Sequence, residues 1–339
     1  MVDTTRRTVL RTACLSVAAP AVLFASRPAR AAEFKLKCGH DVANTHPMHL
    51  RLEQAAERIK ADTGGRLELQ LFPNNQLGGD TDMLGQVRSG GLEMALLPEL
   101  IVGTLVPVAS ITGIGFAFGG YGDVWKALDG DLGAHIRGAI GKVRLHVFDR
   151  VWDNGFRQIT SNGKPILSPQ DLQGFKIRVP ASQLWISMFK AFDAAPAALN
   201  SSELYAALQT RVVEGQENPL SNIYTQKTFE VQQYCSMTNH MWSGYWPLVN
   251  GRVWNGLPEG LRQVFARHMN EAALDQRRDI EALNGKLEQV LAEKGLAFHR
   301  PELQPFRDAL AKAGFYGEWR KKFGDESWAL LAKYGQGLG

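Results

Sequence analysis

Hydrophobic residues alternate with polar ones in two short runs near the start of the chain, at 33–41 (EFKLKCGHD) and at 66–74 (RLELQLFPN). This period of two is typical of half-buried β-strands. The segment between them, 46–65, opens with an early proline and closes on paired glycines, which predicts a helix. A second helix at 81–90 and an apolar strand at 92–98 follow. The order strand, helix, strand, helix, strand predicts an α/β domain with a mainly parallel sheet.

The middle of the chain predicts a second group of elements. Strands are expected at 143–155, 156–162 and 175–180, and helices at 181–194 and 201–215. The first of these strands is the expected crossing point into a second lobe, because the pattern of alternating strands and helices starts again after it.

A long helical stretch runs from about Glu259 to Lys294 and is interrupted only by Gly285. The chain has 339 residues, which is enough for about two domains with sizeable cores. A helix of this length in a two-domain chain is expected to span both lobes.

Polar residues follow the ends of the first three predicted strands. These are His40 and Asp41 after the first strand, the segment that ends in Asp80 after the second, and Glu99 after the third. Ligand crevices in parallel α/β sheets lie beyond the carboxyl ends of the strands. These residues are therefore candidates for a binding site.

Two arginines interrupt apolar strand patterns in the second half of the chain. Arg178 lies in GFKIRVP, where Phe175, Ile177 and Val179 alternate with basic residues, and Arg157 lies in WDNGFRQIT. Strand arginines are mostly solvated, so spacing alone favours a solvent-facing side chain over one that points into a pocket. Both interpretations stay open at this point.

The N-terminal residues have the features of an export signal of twin-arginine type. Arg6 and Arg7 precede an apolar stretch that is too short to span a membrane, and Ala29-Arg30-Ala31 has the small residues of a cleavage site. Residues 1–31 are therefore predicted to be removed on export to the periplasm.

Net charge argues against a nucleic-acid or membrane-surface partner. The predicted signal carries five of the 38 Lys and Arg residues and one of the 34 Asp and Glu residues, so the remaining chain is neutral overall. It keeps two cysteines, Cys38 and Cys235, which are interpreted as buried small hydrophobic residues, although sequence does not tell whether they pair.

The sequence gives little support for catalysis, a metal or a cofactor. It contains no GxSxG, HExxH, P-loop or CxxC motif, and no GxGxxG follows a strand. His40, His46 and His49 do not have a known metal-ligand spacing. An exported enzyme with His40 or Asp41 as acid or base is kept as the alternative, and no nucleophile or metal set supports it.

Two long segments resemble the solute-binding proteins of TRAP (tripartite ATP-independent periplasmic) transporters, of the dicarboxylate-binding type. One contains KIRVP and GQENPL within 152–240, and the other is the 44–97 stretch with NTHPMHL and FPNNQLGGD. The likeness runs from about Phe34 to the C-terminus. It implies an α/β fold, a two-lobed periplasmic binding protein (type II-like) with a long helix spanning both lobes.

The resemblance also implies boundaries and binding residues. Lobe I would comprise 32–154 and 244–283, and lobe II 155–243 and 284–339. Arg178 would pair with a substrate carboxylate, Arg157 would assist, and Asn218 would add a polar contact. Further contacts would come from loops of the first lobe, where the chain offers His40, Asp41, Asp80 and Glu99. Trp152, Asp153, Trp242 and Tyr245 are separate candidates to shape the other end of the ligand, and core packing or an inter-lobe wall is the open alternative for each.

The function that follows is a monomeric receptor that captures a small organic acid and delivers it to the small and large membrane permease subunits. A receptor that signals to a sensor kinase would have the same fold. Pro98 and Ile101 stand where sialic-acid-binding members carry an acidic residue and an arginine, which argues against a sialic acid. Ser201 stands where they carry phenylalanine, so the resemblance does not define the shape of the far end of the substrate. A C4-dicarboxylate or keto acid is expected first, with an aromatic acid next; the acidic residues would suit a hydroxylated acid.

Overall fold

The computed structural model describes residues 31–338. The predicted export signal, apart from its last residue, lies outside the described residues. Within residues 31–338, no helix combines the length and the apolar character that crossing a membrane requires.

The described chain alternates short strands and helices. The strands are β1 (Phe34–Gly39), β2 (Leu67–Phe72), β3 (Met94–Pro98), β4 (Leu145–Val147), β5 (Trp152–Phe156), β6 (Gln158–Ser161), β7 (Lys176–Val179), β8 (Ala195–Ala198), β9 (Gly215–Asn218), β10 (Tyr234–Ser236), β11 (Trp242–Asn250) and β12 (Ala297–His299). The α-helices are α1 (Pro47–Asp62), α2 (Asp80–Ser89), α3 (Glu99–Val102), α4 (Tyr121–Leu128), α5 (Asp131–Lys142), α6 (Gln183–Lys190), α7 (Leu204–Gln209), α8 (Leu220–Thr225), α9 (Gly251–Gly256), α10 (Glu259–Glu293), α11 (Gln304–Lys312), α12 (Phe315–Phe323) and α13 (Asp325–Ala332).

The first sheet has the strand order β2-β1-β3-β11-β4, with β5 also paired to β11. β1 is parallel to β2 and to β3, as the sequence pattern predicts. The prediction of a mainly parallel sheet is wrong for the rest, because β11 enters from the distant end of the chain and runs antiparallel to β3, β4 and β5. All five residues of β3 are buried, which fits a central strand covered on both faces.

The second sheet has the order β12-β10-β6-β9-β7-β8. β7 is parallel to β8 and β9, whereas β6 runs antiparallel to both β9 and β10. The single strand predicted at 143–155 is two strands, β4 and β5, which both pair with β11 in the first sheet. A single residue, Arg157, separates β5 from β6, where the chain enters the second sheet.

Helix α10 braces both sheets. Near its start, Phe265 and Met269 join the core formed by β1, β2 and α1, while Leu287 and Leu291 near its end pack with Leu220 of α8 beside the second sheet. In its middle, the side chain of Gln276 donates to the backbone carbonyl of Asp153 at 2.7 Å. The predicted helix that spans both lobes is confirmed, and its observed end lies one residue before the predicted one.

Candidate binding site

A small cavity lies where the carboxyl ends of β1, β2 and β3 face the second sheet. Its free volume is about 20 Å³, which is room for about one water molecule. Both sheets and the loops between them contribute its lining, which consists of Asp41, Asp80, Pro98, Leu100, Asn154, Arg157, Arg178, Pro180, Ser201, Asn218, Asn222 and Tyr245.

Arg178 is buried on β7 and faces this cavity instead of solvent. Only 3% of its surface is exposed. Its Nε and Nη2 donate to the backbone carbonyl of Leu199 at 3.0 and 2.6 Å, and it forms no ion pair with a carboxylate anywhere in residues 31–338. Burial lowers its pKa to about 10, so the guanidinium stays charged at neutral pH. The carboxyl groups of Glu217, Asp80 and Asp41 act on this charge only through space, so an anion that reaches it would supply the direct ion pair that it lacks.

Arg157 is also buried, but its charge is already neutralised. Its Nη2 donates to Oε1 of Glu217 at 2.9 Å, its Nε donates to Oε2 of the same carboxylate, and Nη2 also donates to Oδ1 of Asn218 at 3.0 Å. Burial opposes ionisation of Glu217, yet the charge of Arg157 outweighs it and holds the pKa of Glu217 at about 2. His240 adds a contact between its Nε2 and Oε2 of Glu217 at 3.3 Å.

Two buried carboxyl groups, Asp41 and Asp80, form the part of the lining that follows β1 and β2. The hydroxyl of Tyr245 donates to Oδ1 of Asp41 at 3.0 Å. Asp80 is the first residue of α2, and its Oδ1 is buried without a hydrogen-bond partner in the described chain. Burial raises the pKa of both carboxyls, and the proximity of Asp41 raises that of Asp80 further.

Six of the predicted site residues line the cavity: Arg178, Arg157, Asn218, Asp41, Asp80 and Tyr245. The other five lie outside its lining and have partners elsewhere. The ring of His40 contacts that of His49 (Nε2 to Nδ1, 2.9 Å), and Oε2 of Glu99 accepts from the amide of Gly244 at 2.8 Å. The indole of Trp242 donates to Asp153 at 2.9 Å, and Trp152 lies in the core beside α10. Ligand contact by these five stays a prediction.

Sequence reasoning missed Asn154, Asn222 and Pro180 in the lining, and Glu217 as the partner of Arg157. Asn154 follows the predicted Asp153, and successive residues of a strand point to opposite faces, so a one-residue shift selects the other side chain. Asn222 lies in α8, whereas Asn218 ends β9, so no helical or strand period links the two positions. The one-residue shift at Asn154 is the signal that was present.

No group of three or more His, Cys, Asp or Glu residues within 31–338 is arranged to hold a metal ion. His40 and His46 are buried, and burial lowers the pKa of each to about 3, which keeps both rings neutral. A larger groove of about 650 Å³ runs between Gly103, Leu184 and Trp319. Its lining is mainly apolar, its cation Lys322 is half-exposed, and it offers no buried charge to a polar ligand.

Known proteins with the same fold and related sequence bind carboxylates. Residues 38–316 match the DctP family, described as bacterial extracellular solute-binding protein, family 7. The chain is 31% identical over 265 residues to the C4-dicarboxylate-binding periplasmic protein DctP of Vibrio cholerae, covering 78% of this chain and 79% of that protein.

Two solved structures of TRAP periplasmic solute-binding proteins resemble it closely. The protein from Sulfurospirillum deleyianum with bound succinate has 31% identity and a TM-score of 0.83, covering 91% of this chain and 100% of that one. The protein from a Polaromonas species bound to D-erythronate has 28% identity and a TM-score of 0.84, covering 88% and 98%. The chain therefore belongs to the DctP family of periplasmic solute-binding proteins of TRAP transporters, whose members bind solutes and are not enzymes.

Proposed function

We propose that this protein captures a small organic acid by closing its two lobes, with the ligand carboxylate held by Arg178. The observation that carries this proposal is a buried guanidinium that lines the cavity and has no carboxylate partner in the described chain. Planar guanidinium and carboxylate groups fit each other through two parallel charge-assisted hydrogen bonds, a geometry that lysine cannot reproduce. The relatives that bind C4-dicarboxylates, succinate and D-erythronate support a carboxylate ligand.

The strength of such a pair is sufficient for a receptor. An exposed ion pair contributes about 0 to 1 kcal/mol, whereas each charge-assisted bond in a water-excluded site contributes about 1.5–3 kcal/mol. Micromolar affinity corresponds to roughly 8 kcal/mol. Two bonds to Arg178, polar contacts from the facing wall and the burial of the ligand on closure can reach that total.

Opening and closing of the lobes accounts for how a ligand enters. The charged side chains of the lining are at most 7% exposed, so a ligand reaches them only if the sheets move apart. A ligand that binds the closed form more tightly shifts the population toward it. The lobes are proposed to comprise 32–154 with 244–283, and 155–243 with 284–339. The first two boundaries fall within the paired strands β5 and β11, and the third falls within α10.

Arg157 is proposed to shape the site more than to neutralise the ligand, because Glu217 already balances its charge. The protein is also proposed to deliver its ligand to the small and large permease subunits. Its export is proposed to be directed by the twin-arginine-type signal at 1–31. Membership of a TRAP family supports the permease as partner.

The test is thermal unfolding of residues 32–339, stripped of co-purified ligand, against a panel of dicarboxylates, keto acids, sugar acids and aromatic acids. A ligand at a hundred times its dissociation constant stabilises the folded state by about 2.7 kcal/mol, which gives a measurable rise in Tm. We expect a rise with one class of acid that disappears in Arg178→Ala. A well-folded protein that responds to no acid would contradict the proposal.

A further inference from the structure

The wall of the cavity contributed by the first sheet is rich in hydrogen-bond acceptors and has no cation of its own. It is formed by Asp41, Asp80 and Tyr245 together with the apolar Pro98 and Leu100. Tyr245 uses its hydroxyl proton on Asp41. Oδ1 of Asp80, in a side chain only 4% exposed, is left with no donor in the described chain. A buried acceptor without a donor is costly, so this wall is completed by a ligand that brings donors.

The side-chain amide of Asn154 offers a further acceptor that a ligand could fill. Asn154 lines the cavity and donates through Nδ2 to the hydroxyl of Ser243 at 2.9 Å, while its Oδ1 has no donor in the described chain. Asn222 lines the cavity as well, but its side chain has a hydrogen-bond partner in His46. The lining acceptors left without donors in the described chain are therefore those of Asp80 and Asn154.

The two carboxyls limit how much further negative charge this wall tolerates. Burial raises the pKa of Asp41 and of Asp80, and the nearby positive charges of Arg178 and Arg157 only partly oppose this effect. The pair therefore holds on to a proton more readily than exposed aspartates do. A second ligand carboxylate placed here would meet like charge and would bring no hydrogen to the unfilled acceptors.

We propose that the ligand is a polyhydroxylated monocarboxylate, with its carboxylate on Arg178 and its hydroxyl groups donating to Asp41, Asp80 and Asn154. This inference rests on the proposed function and narrows its substrate class. A hydroxyl both donates and accepts, so it serves a carboxylate oxygen and a protonated carboxyl equally well. An unsubstituted dicarboxylate or an aromatic acid supplies no donor at this wall. The structure therefore favours a different ligand from the dicarboxylate or keto acid that the sequence favours.

Matched acids test the inference by calorimetry on residues 32–339 at pH 7.5. At four carbons the set is 2,3,4-trihydroxybutanoate, butanedioate and 4-aminobutanoate; at six carbons it is pentahydroxyhexanoate, hexanedioate and 6-aminohexanoate. We expect a hydroxy acid to bind at least tenfold more tightly than the dicarboxylate and the amino acid of the same length. Tighter binding of a dicarboxylate, or of an amino acid through its ammonium group, would overturn the inference.

Variants separate this inference from the proposed function. Asp80→Asn removes charge at nearly constant size, and we expect at least a tenfold loss for the hydroxy acid with a smaller preference over the dicarboxylate. Asp41→Asn should act in the same direction, and Asp308→Asn, on the exposed face of α11, is the matched control with unchanged binding. Circular dichroism confirms that each variant is folded.

If dicarboxylates bind best and Arg178→Ala abolishes that binding, the substrate class is wrong and the receptor function stands. If no acid of either length binds the folded protein, both the function and the inference are overturned. If Asp80→Asn leaves the affinity and the preference of the wild type unchanged, the assignment of this wall to the hydroxyl groups is wrong.

Discussion

Nη2 of Arg157 donates to Oε1 of Glu217 at 2.9 Å, and both side chains are almost completely excluded from solvent. Arg178 lines the same cavity but donates to a backbone carbonyl and leaves its charge without a carboxylate. The two arginines therefore differ in whether the protein supplies a carboxylate that forms an ion pair with them. Arg157 has its ion pair within the protein, whereas Arg178 makes no direct ion pair in the described chain, and we propose that a ligand carboxylate takes that place.

The Arg157–Glu217 pair should be important for folding. Glu217→Gln leaves the Arg157 charge buried without its counterion, and breaking a buried pair in this way costs about 3–5 kcal/mol. We expect urea unfolding at pH 7.5 to report a loss of that size, whereas Glu57→Gln, on the exposed face of α1, should unfold like the wild type. An unfolding curve for Glu217→Gln that matches the wild type would show that the charge of Arg157 is balanced in another way.

Arg178 should be important for binding and not for folding. Arg178→Ala removes a buried charge that makes no direct ion pair and is stabilised by Asp41 and Asp80 only through space, so we expect the Tm of the ligand-free protein to change little. The affinity for the acid should fall at least a hundredfold, because about 1.5–3 kcal/mol is lost for each charge-assisted bond. Arg178→Lys keeps the charge but loses the paired geometry, and an intermediate affinity is expected. Calorimetry that gives the wild-type dissociation constant for either variant would place the ligand elsewhere.

Glu99 should make stability depend on pH. It is buried, its Oε2 accepts from the amide of Gly244, and burial raises its pKa to about 8 from the ordinary 4.5. The folded state therefore keeps a proton that the unfolded chain releases, so stability falls as the pH rises from about 4.5 to about 8. The slope from this group is at most about 1.4 kcal/mol for each pH unit.

Glu99→Gln mimics the protonated side chain and should remove that part of the pH dependence. Urea unfolding at intervals between pH 5 and pH 8 measures the difference between variant and wild type. This difference isolates Glu99 from Asp153, whose pKa is also raised by burial, to about 7. Parallel stability curves for the two proteins would mean that Glu99 titrates normally.

Cys38 and Cys235 should be unreactive while the protein is folded. Cys38 on β1 and Cys235 on β10 belong to different sheets, and both are free and buried. Burial also raises the pKa of each thiol, which suppresses the reactive thiolate. We expect slow labelling by a thiol reagent in the native state, two labels after unfolding, and a Tm that a reductant does not change. Rapid native labelling, or a lower Tm in reductant, would contradict this.

The pattern of hydrophobic and polar residues predicted those strands and helices in which buried residues recur at the strand or helix period. β1 and α1 lie where alternation, the early Pro47 and the paired glycines place them, because each has one buried face and a defined end. α10 was predictable from its length and continuous helical pattern. The polar positions that follow the strands, Asp41 after β1 and Asp80 at the start of α2, were predictable as well, since parallel strands carry their carboxyl ends to the same edge of a sheet.

The charge state of the site was not predictable in the same way. Glu217 lies next to Arg157 because β6 and β9 pair antiparallel with Gln158 opposite Asn218, and this register is set between strands that are distant along the chain. Likewise, Asn154 lines the cavity while Asp153 receives the indole of Trp242, since neighbouring strand residues point to opposite faces.

The sequence by itself determined the family, the two-lobed α/β architecture, the long helix and the strand ends that carry the candidate site, because all of these depend on local periodicity or on contiguous motifs. The tertiary structure alone decided which arginine is neutralised, which carries a free charge, and which acceptors lack donors. Those properties depend on burial and on the distance between side chains from different strands, and the order of residues in one strand does not contain that information.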